Sequence, residues 1–253
     1  MKEAMEKEPS NSTQEAVQPE TYSVRRINRI AKHVAARSYL EVGVARGLTF
    51  NQLAFERKVA VDPAFRFDVA DYKKDGVEFC QETSDRFFSR QDFLRKFDLI
   101  FLDGLHTFQQ TFRDFCCSQA FAHSWTVWLI DDVIPSDVYS AWPVETEAYQ
   151  FRKRGQKGDN RAWHGDVFKV VFAIHDFFPT LSYVTLVGSG NPQTIVWRSG
   201  RGDFSPLFSG MEAIERLGYF DYLKRERVFN PMTEEEGLGT FCASWSGHFP
   251  QSD

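Results

Sequence analysis

The chain has 253 residues, 42% hydrophobic and 26% charged, with a net charge of −5. That length buries one substantial core, so one α/β domain with an appendage fits better than two domains. The acidic balance argues against sequence-independent nucleic-acid binding, which relies on a basic face, and no run approaches the ~18 apolar residues of a membrane span.

Residues 1–20 lack the apolar core of a signal peptide and read as a solvated tail. Residues 24–37 (VRRINRIAKHVAAR) place Val24, Ile27, Ile30 and Val34 at helical spacing, with arginines on the other face. Residues 38–47, SYLEVGVARG, run from an apolar strand into an acid, Glu41, and then into Gly43 and Gly47. A second apolar run, KVAVDP, ends in Asp62, about 20 residues further on. This is the pattern of a β-α-β nucleotide-binding unit: glycines allow a sharp turn and close ligand approach, and the second acid is placed for ribose hydroxyls. A helix is expected over 48–57, with Thr49 or Asn51 capping it.

Further strands are expected at 59–61, 77–80, 97–102 (FDLIFL), 126–130 (TVWLI), 183–187 and 194–197, with helices from 82, over 107–121 and over 166–178. Strands alternating with helices imply a Rossmann-like, doubly wound, mostly parallel seven-stranded sheet with helices on both faces. Residues 133–165 break the rhythm with Pro135, Pro143 and the basic run RKRGQKGDNR, and read as a lid insertion within a domain spanning 21–203. Residues 204–253 read as a helical C-terminal extension. The 25 phenylalanines suggest a thick aromatic core or an apolar cleft. Four cysteines, Cys80, Cys116, Cys117 and Cys242, form no C-x-x-C pair and read as reduced thiols of a cytoplasmic protein.

Glu41, Asp62, Asp103 and the pair Asp131-Asp132 each end a strand. In an open parallel sheet such ends lie on one edge, where ligands bind. Asp103, Asp131 and Asp132 could hold a divalent cation such as Mg²⁺ through oxygen ligands, or serve as helix caps and ion-pair partners. His106, in DGLH, could act as a general base or as a structural hydrogen-bonding residue. Trp142, Tyr149 and Trp163 could stack on a ring or pack in the core.

In order, YLEVGVARG, VAVDP, SDRFF, FDLIFLDGLHTFQQTFRDF, LIDDVIP and WHGDVFKVV resemble a class I S-adenosylmethionine-dependent methyltransferase. More narrowly, they are similar to a macrocin O-methyltransferase-like group encoded with bacterial glycan and natural-product pathways. The resemblance covers residues 39–171. It implies that Glu41, Gly43 and Gly47 line the methionine and ribose part of S-adenosylmethionine, that Asp62 binds the ribose and that Ser84 and Asp85 sit near the adenine. It places Asp103 by the sulfonium and the acceptor. In metal-dependent relatives the positions of Asp103, Asp131 and Asp132 bind Mg²⁺. The chain departs from the group at His123-Ser124-Trp125, where Gly-Gly is usual, and at His164. The activity implied is O-methylation of a small-molecule or sugar-containing acceptor by a homodimer. Two other readings share the opening motif: a non-catalytic scaffold that keeps the fold, and a nicotinamide-dependent oxidoreductase, against which the incomplete G-x-G-x-x-G counts.

Overall fold

The structure, a computed structural model, describes residues 19–90, 95–155 and 162–245; nearly all of the expected N-terminal tail lies outside them. In chain order the elements are α1 (Tyr22–His33), β1 (Ser38–Val42), β2 (Arg57–Val61), β3 (Val77–Cys80), α2 (Ser84–Ser89), β4 (Phe97–Leu102), α3 (Phe108–Ser118) and β5 (Ala122–Ile130). There follow α4 (Glu145–Arg154), α5 (Phe168–Phe177), β6 (Leu181–Val187), β7 (Gln193–Arg198), α6 (Met211–Glu215), α7 (Tyr219–Leu223), β8 (Pro231–Thr233) and α8 (Glu234–Ser244).

The strands form one sheet in the order β3-β2-β1-β4-β5-β7-β6-β8. All pairs are parallel except those of β7, which runs antiparallel to both β5 and β6. The fold is Rossmann-like α/β, as the alternation of elements implies, with eight strands rather than the expected seven. The extra one, β8, pairs with the end of β6 from Thr185↔Pro231 to Val187↔Thr233. Three residues carry no periodicity, so only the approach of the extension to the sheet edge defines that strand.

Side-chain alternation divides the core into two layers. Leu40, Val42, Ile100, Leu102, Trp128 and Ile130 face α2, α3 and α5 through Phe87, Phe115, Val170 and Phe172. Tyr39, Ala60, Leu99, Phe101, Val127 and Leu129 face α1 and α8 through Val24, Ile27, Ile30, Leu238 and Phe241. β4 is buried along its whole length, which explains why it reads as a continuous apolar run rather than an alternating one.

Two local expectations change. The helix expected over 48–57 is only a 3-10 turn at Phe50–Gln52, and Thr49 makes no side-chain cap. The Lys58 ammonium, reaching back from β2, takes the carbonyls of Phe50 (2.6 Å) and Leu53 (2.8 Å), which a longer helix would have used itself. The arginines of α1 are not all on its solvent face. Arg26 is fully buried, pairing with Glu234 at 3.0 Å and donating to Gln193 and to the carbonyls of Ser189 and Asn191. α1 is thereby tied to both the β6–β7 turn and α8.

Candidate active site

β1 leads to β2 on one side and β4 leads to β5 on the other, so the strand order reverses between β1 and β4, where an open α/β sheet forms its ligand crevice. A cavity of about 810 Å³ opens there. Glu41, Gly43, Asp62, Ser84, Asp85, Asp103, His106 and Asp131 all line it. Gly47 and Asp132 sit behind this wall.

Gly43 has φ +88°, and a Cβ on it would lie 1.9 Å from the Asp103 carbonyl oxygen. Only glycine lets the end of β1 pass this close to the end of β4. Gly47, at φ +71°, is confined by side chains instead, those of Asn51 and Phe67. Asp62 grips the turn between them: one oxygen accepts from Val44 N (2.9 Å) and Ala45 N (2.8 Å), the other from Ala64 N (2.7 Å). Part of the acid's role is therefore to shape the glycine turn, a function that a strand-end aspartate does not advertise in sequence. Glu41 is buried and accepts the Tyr39 hydroxyl at 2.6 Å. Burial pushes its carboxyl up to about 8, the tyrosine hydrogen bond only partly opposing this.

His106 also lines the cavity. Its Nδ1 lies 3.0 Å from Asp132 Oδ2 and 3.1 Å from the Trp163 carbonyl oxygen. Both partners are acceptors, so Nδ1 carries the proton and Nε2 is left facing Asp103, 3.9 Å away. The Trp163 indole stacks on the imidazole at 5.1 Å. Burial opposes the imidazolium, but the hydrogen bond and charge of Asp132 outweigh it and raise His106 to about 9. Asp132 is held below the usual carboxylate range, because the same hydrogen bond to His106 overcomes its burial. Burial, then the Asp132 charge, lifts Asp131 to about 7; burial and the charges of Asp131 and Asp132 raise Asp103 well above its ordinary value.

The acids converge differently from the expected metal set. Asp103, His106 and Asp132 bring one ligand atom each within 4.8 Å of one another, and Asp131 is not among them. Asp131 instead accepts from Asn191 Nδ2 and from the Asp132 amide. Asp132 adopts φ +58° at this junction, a backbone turn that swings the two neighbouring carboxylates apart. Two carboxylates and an imidazole suit a divalent transition metal such as Mn²⁺ better than Mg²⁺, which prefers an all-oxygen set.

The WHGD segment is explained by its contacts. Trp163 covers His106, Gly165 packs where a Cβ would strike the His106 carbonyl at 1.6 Å, and Asp166 caps α3 through Phe108 N (2.7 Å) while pairing with Lys169 (2.8 Å). His164 approaches Asn191 at 3.0 Å. At the other departure, Trp125 donates to Asp98 (2.9 Å) and stacks on His123. Of the basic run, Arg152 is buried against Asp137 at 2.8 Å, Lys153 and Arg154 are exposed, and 156–161 lie outside the described residues. Trp142 and Tyr149 bond the nearby Glu147 and Glu145.

Tyr22, Gln110, Asp114 and Asn191 belong to the site without having been read from the sequence. Gln110 joins Ser84, Asp85 and Asp114, and burial raises Asp114 to about 6. The i, i+4 pair Gln110–Asp114 on a helix following DGLH was the available signal. Tyr22, which lines the cavity from α1, and Asn191, which touches Asp131 and Asp132 from the β6–β7 turn, carried none, since they come from distant parts of the chain.

The chain is therefore a Rossmann-like domain whose crevice combines a glycine turn, strand-end acids and an oriented histidine. Residues 40–133, less than half of the chain, match the family model described as a methyltransferase domain. By sequence, no curated protein matches. Solved structures of similar fold include an O-methyltransferase from Bacillus cereus in complex with SAH, at 16% identity, 72% of this chain, 84% of that chain and TM-score 0.48. SAH-bound methyltransferase PaMTH1 from Podospora anserina has 16% identity over 70% and 77% of the chains, with TM-score 0.49. TomG, an O-methyltransferase from Streptomyces achromogenes in complex with SAM, has 14% identity over 69% and 79%, with TM-score 0.46. No helix among the described residues is long and apolar enough to cross a membrane.

Proposed function

We propose that the protein is an S-adenosylmethionine-dependent methyltransferase acting on a hydroxyl group of a small-molecule acceptor. One observation carries this reading: one cavity is lined both by Gly43, Val44 and Ala45, in the turn that Asp62 braces, and by His106, which Asp132 orients. The family match over residues 40–133 supports it. Beside β5, where the 3-2-1-4-5-6 dinucleotide fold has its sixth parallel strand, stands the antiparallel β7, which weighs against the nicotinamide reading.

The glycine turn and Glu41 bind the methionine end, Asp62 the ribose, and Ser84 with Asp85 the adenine edge. His106 Nε2 accepts the proton of the acceptor hydroxyl as oxygen attacks the methyl carbon; the O–C bond forms, the C–S bond breaks, and its electron pair stays on sulfur. A positive sulfonium beside the imidazole disfavours the imidazolium and so returns His106 to the neutral form that a base requires. The carboxylate of Asp132 then stabilises the proton arriving on the ring. Asp103, His106 and Asp132 could instead hold a divalent cation, which would itself acidify the hydroxyl in place of His106 as base, since an imidazole nitrogen bound to a metal accepts no proton.

Calorimetric titration with S-adenosylhomocysteine tests the assignment. Micromolar binding by the wild type, lost in Asp62→Ala, is expected. Tighter binding of NAD, or no binding of either ligand, refutes it.

A further inference from the structure

Asn191 lies in the turn between β6 and β7, outside the cavity wall, yet its side chain touches three residues of the site. Its Nδ2 donates to Asp131 Oδ1 at 2.7 Å and to Asp132 Oδ1 at 2.7 Å, while its Oδ1 stands 3.0 Å from His164 Nε2. The whole amide is thus committed: both N–H groups to the two carboxylates, the oxygen to the imidazole. Two adjacent buried carboxylates repel one another, and one NH₂ group placed between them offsets that repulsion without adding a charge.

The turn itself is anchored. The buried Arg26 donates to the carbonyls of Asn191 (2.6 Å) and Ser189 (2.7 Å), and Glu234 closes the network through Arg26 and Ser189. Gly190 between them has φ +88°, and a Cβ there would meet the Tyr22 ring at 2.4 Å, so the turn is pressed against α1.

We propose that Asn191 is a positioning residue of the active site: it fixes the Asp131-Asp132 pair and, by holding Asp132 Oδ1, aims Asp132 Oδ2 at the Nδ1–H of His106. This rests on the methyltransferase reading for its catalytic meaning, but the geometry it asserts is testable without cofactor or acceptor. Loss of the amide frees Asp132 to rotate away, and the Nδ1–H of His106 loses its carboxylate partner and keeps only the neutral Trp163 carbonyl.

The test is nuclear magnetic resonance of protein carrying ¹⁵N-labelled histidine, with the His106 resonances assigned by their disappearance in His106→Asn. The wild type is expected to show a ring N–H proton on Nδ1, well downfield of the amides, as a hydrogen bond to a carboxylate produces. In Asn191→Leu that resonance should be lost, while S-adenosylhomocysteine affinity stays within about twofold, because Asn191 does not line the cavity. Asn191→Asp, which keeps the side-chain shape but not the donors, is the second variant and should lose it as well. An unchanged resonance in a folded variant, or no such resonance in the wild type, overturns the proposal. Absence of S-adenosylhomocysteine binding by the wild type overturns the methyltransferase reading instead and leaves the result on Asn191 standing.

Discussion

Replacing Gly43 with alanine puts one carbon atom where the backbone of Asp103 already is. The added Cβ lies 1.9 Å from the Asp103 carbonyl oxygen, 2.3 Å from its carbon and 2.5 Å from Gly104 Cα. None of these is a flexible side-chain end, so β1 and β4 must separate. The cost has two parts. Holding a non-glycine residue at φ +88° takes about 1–2 kcal/mol, and overpacking of backbone takes about 1–3 kcal/mol more. The bonds Gly43 N to Val61 O (2.9 Å) and Asp103 N to Val42 O (2.8 Å) lie on the path of that movement. A sum near ~4 kcal/mol lowers the melting temperature by roughly 8–16 °C in a protein of this size. Gly188 supplies the control: its φ is +91°, yet a Cβ there meets nothing within 4 Å. Gly188→Ala should therefore carry only the conformational part, about 1–2 kcal/mol. Thermal unfolding followed by circular dichroism measures both variants, and titration with S-adenosylhomocysteine should show affinity reduced at least tenfold in Gly43→Ala alone. Equal melting temperatures for the two variants would falsify the close-approach argument.

Arg26→Met should cost about 3–5 kcal/mol in urea denaturation, because it strips a buried network of its charge, leaves Gln193 Oε1 and two carbonyls without this donor, and leaves Glu234 to Arg25 and Ser189; a loss like that of an exposed arginine, near zero, would contradict it. Stability should fall as pH rises from about 6.5 to 9. His106, held up at about 9, contributes fully below the ordinary histidine value of about 6.5 and loses that contribution as pH passes 9. Asp131 and Glu41, raised to about 7 and about 8, add to the slope in the same direction. Urea midpoints measured across this range should decline less in Asp132→Asn, and an identical decline would remove Asp132 as the cause. Mn²⁺ titration should distinguish the metal sets. Asp103→Asn and Asp132→Asn are expected to abolish binding and Asp131→Asn to keep it; equal loss in all three would restore the set read from the sequence, and no binding by the wild type would leave the cluster to proton transfer alone.

The sequence by itself determined the parts whose cause is local. The run from Tyr39 to Gly47 names a strand, a turn and the need for positive φ, because only glycine takes that turn at low cost. The apolar stretch of β4 names a strand buried on both faces, and Glu41 near the end of β1, with the acids after β2, β4 and β5, marks the binding edge, because strands of a parallel sheet all end on the same side. Contacts between distant residues were decided only by the tertiary structure. Lys58 shortened the first helix, Arg26 went inside to meet Glu234, and β8 completed the sheet edge. Which acid faces His106 was also decided there: Asp131 and Asp132 are neighbours in the chain and chemically identical, and nothing local separates them. The β6–β7 turn and the left-handed backbone at Asp132 send Asp131 to Asn191 and the Asp132 amide and share Asp132 between Asn191 and His106. Hydrogen bonds across some 60 to 200 residues of chain leave no period and no spacing for a sequence to display.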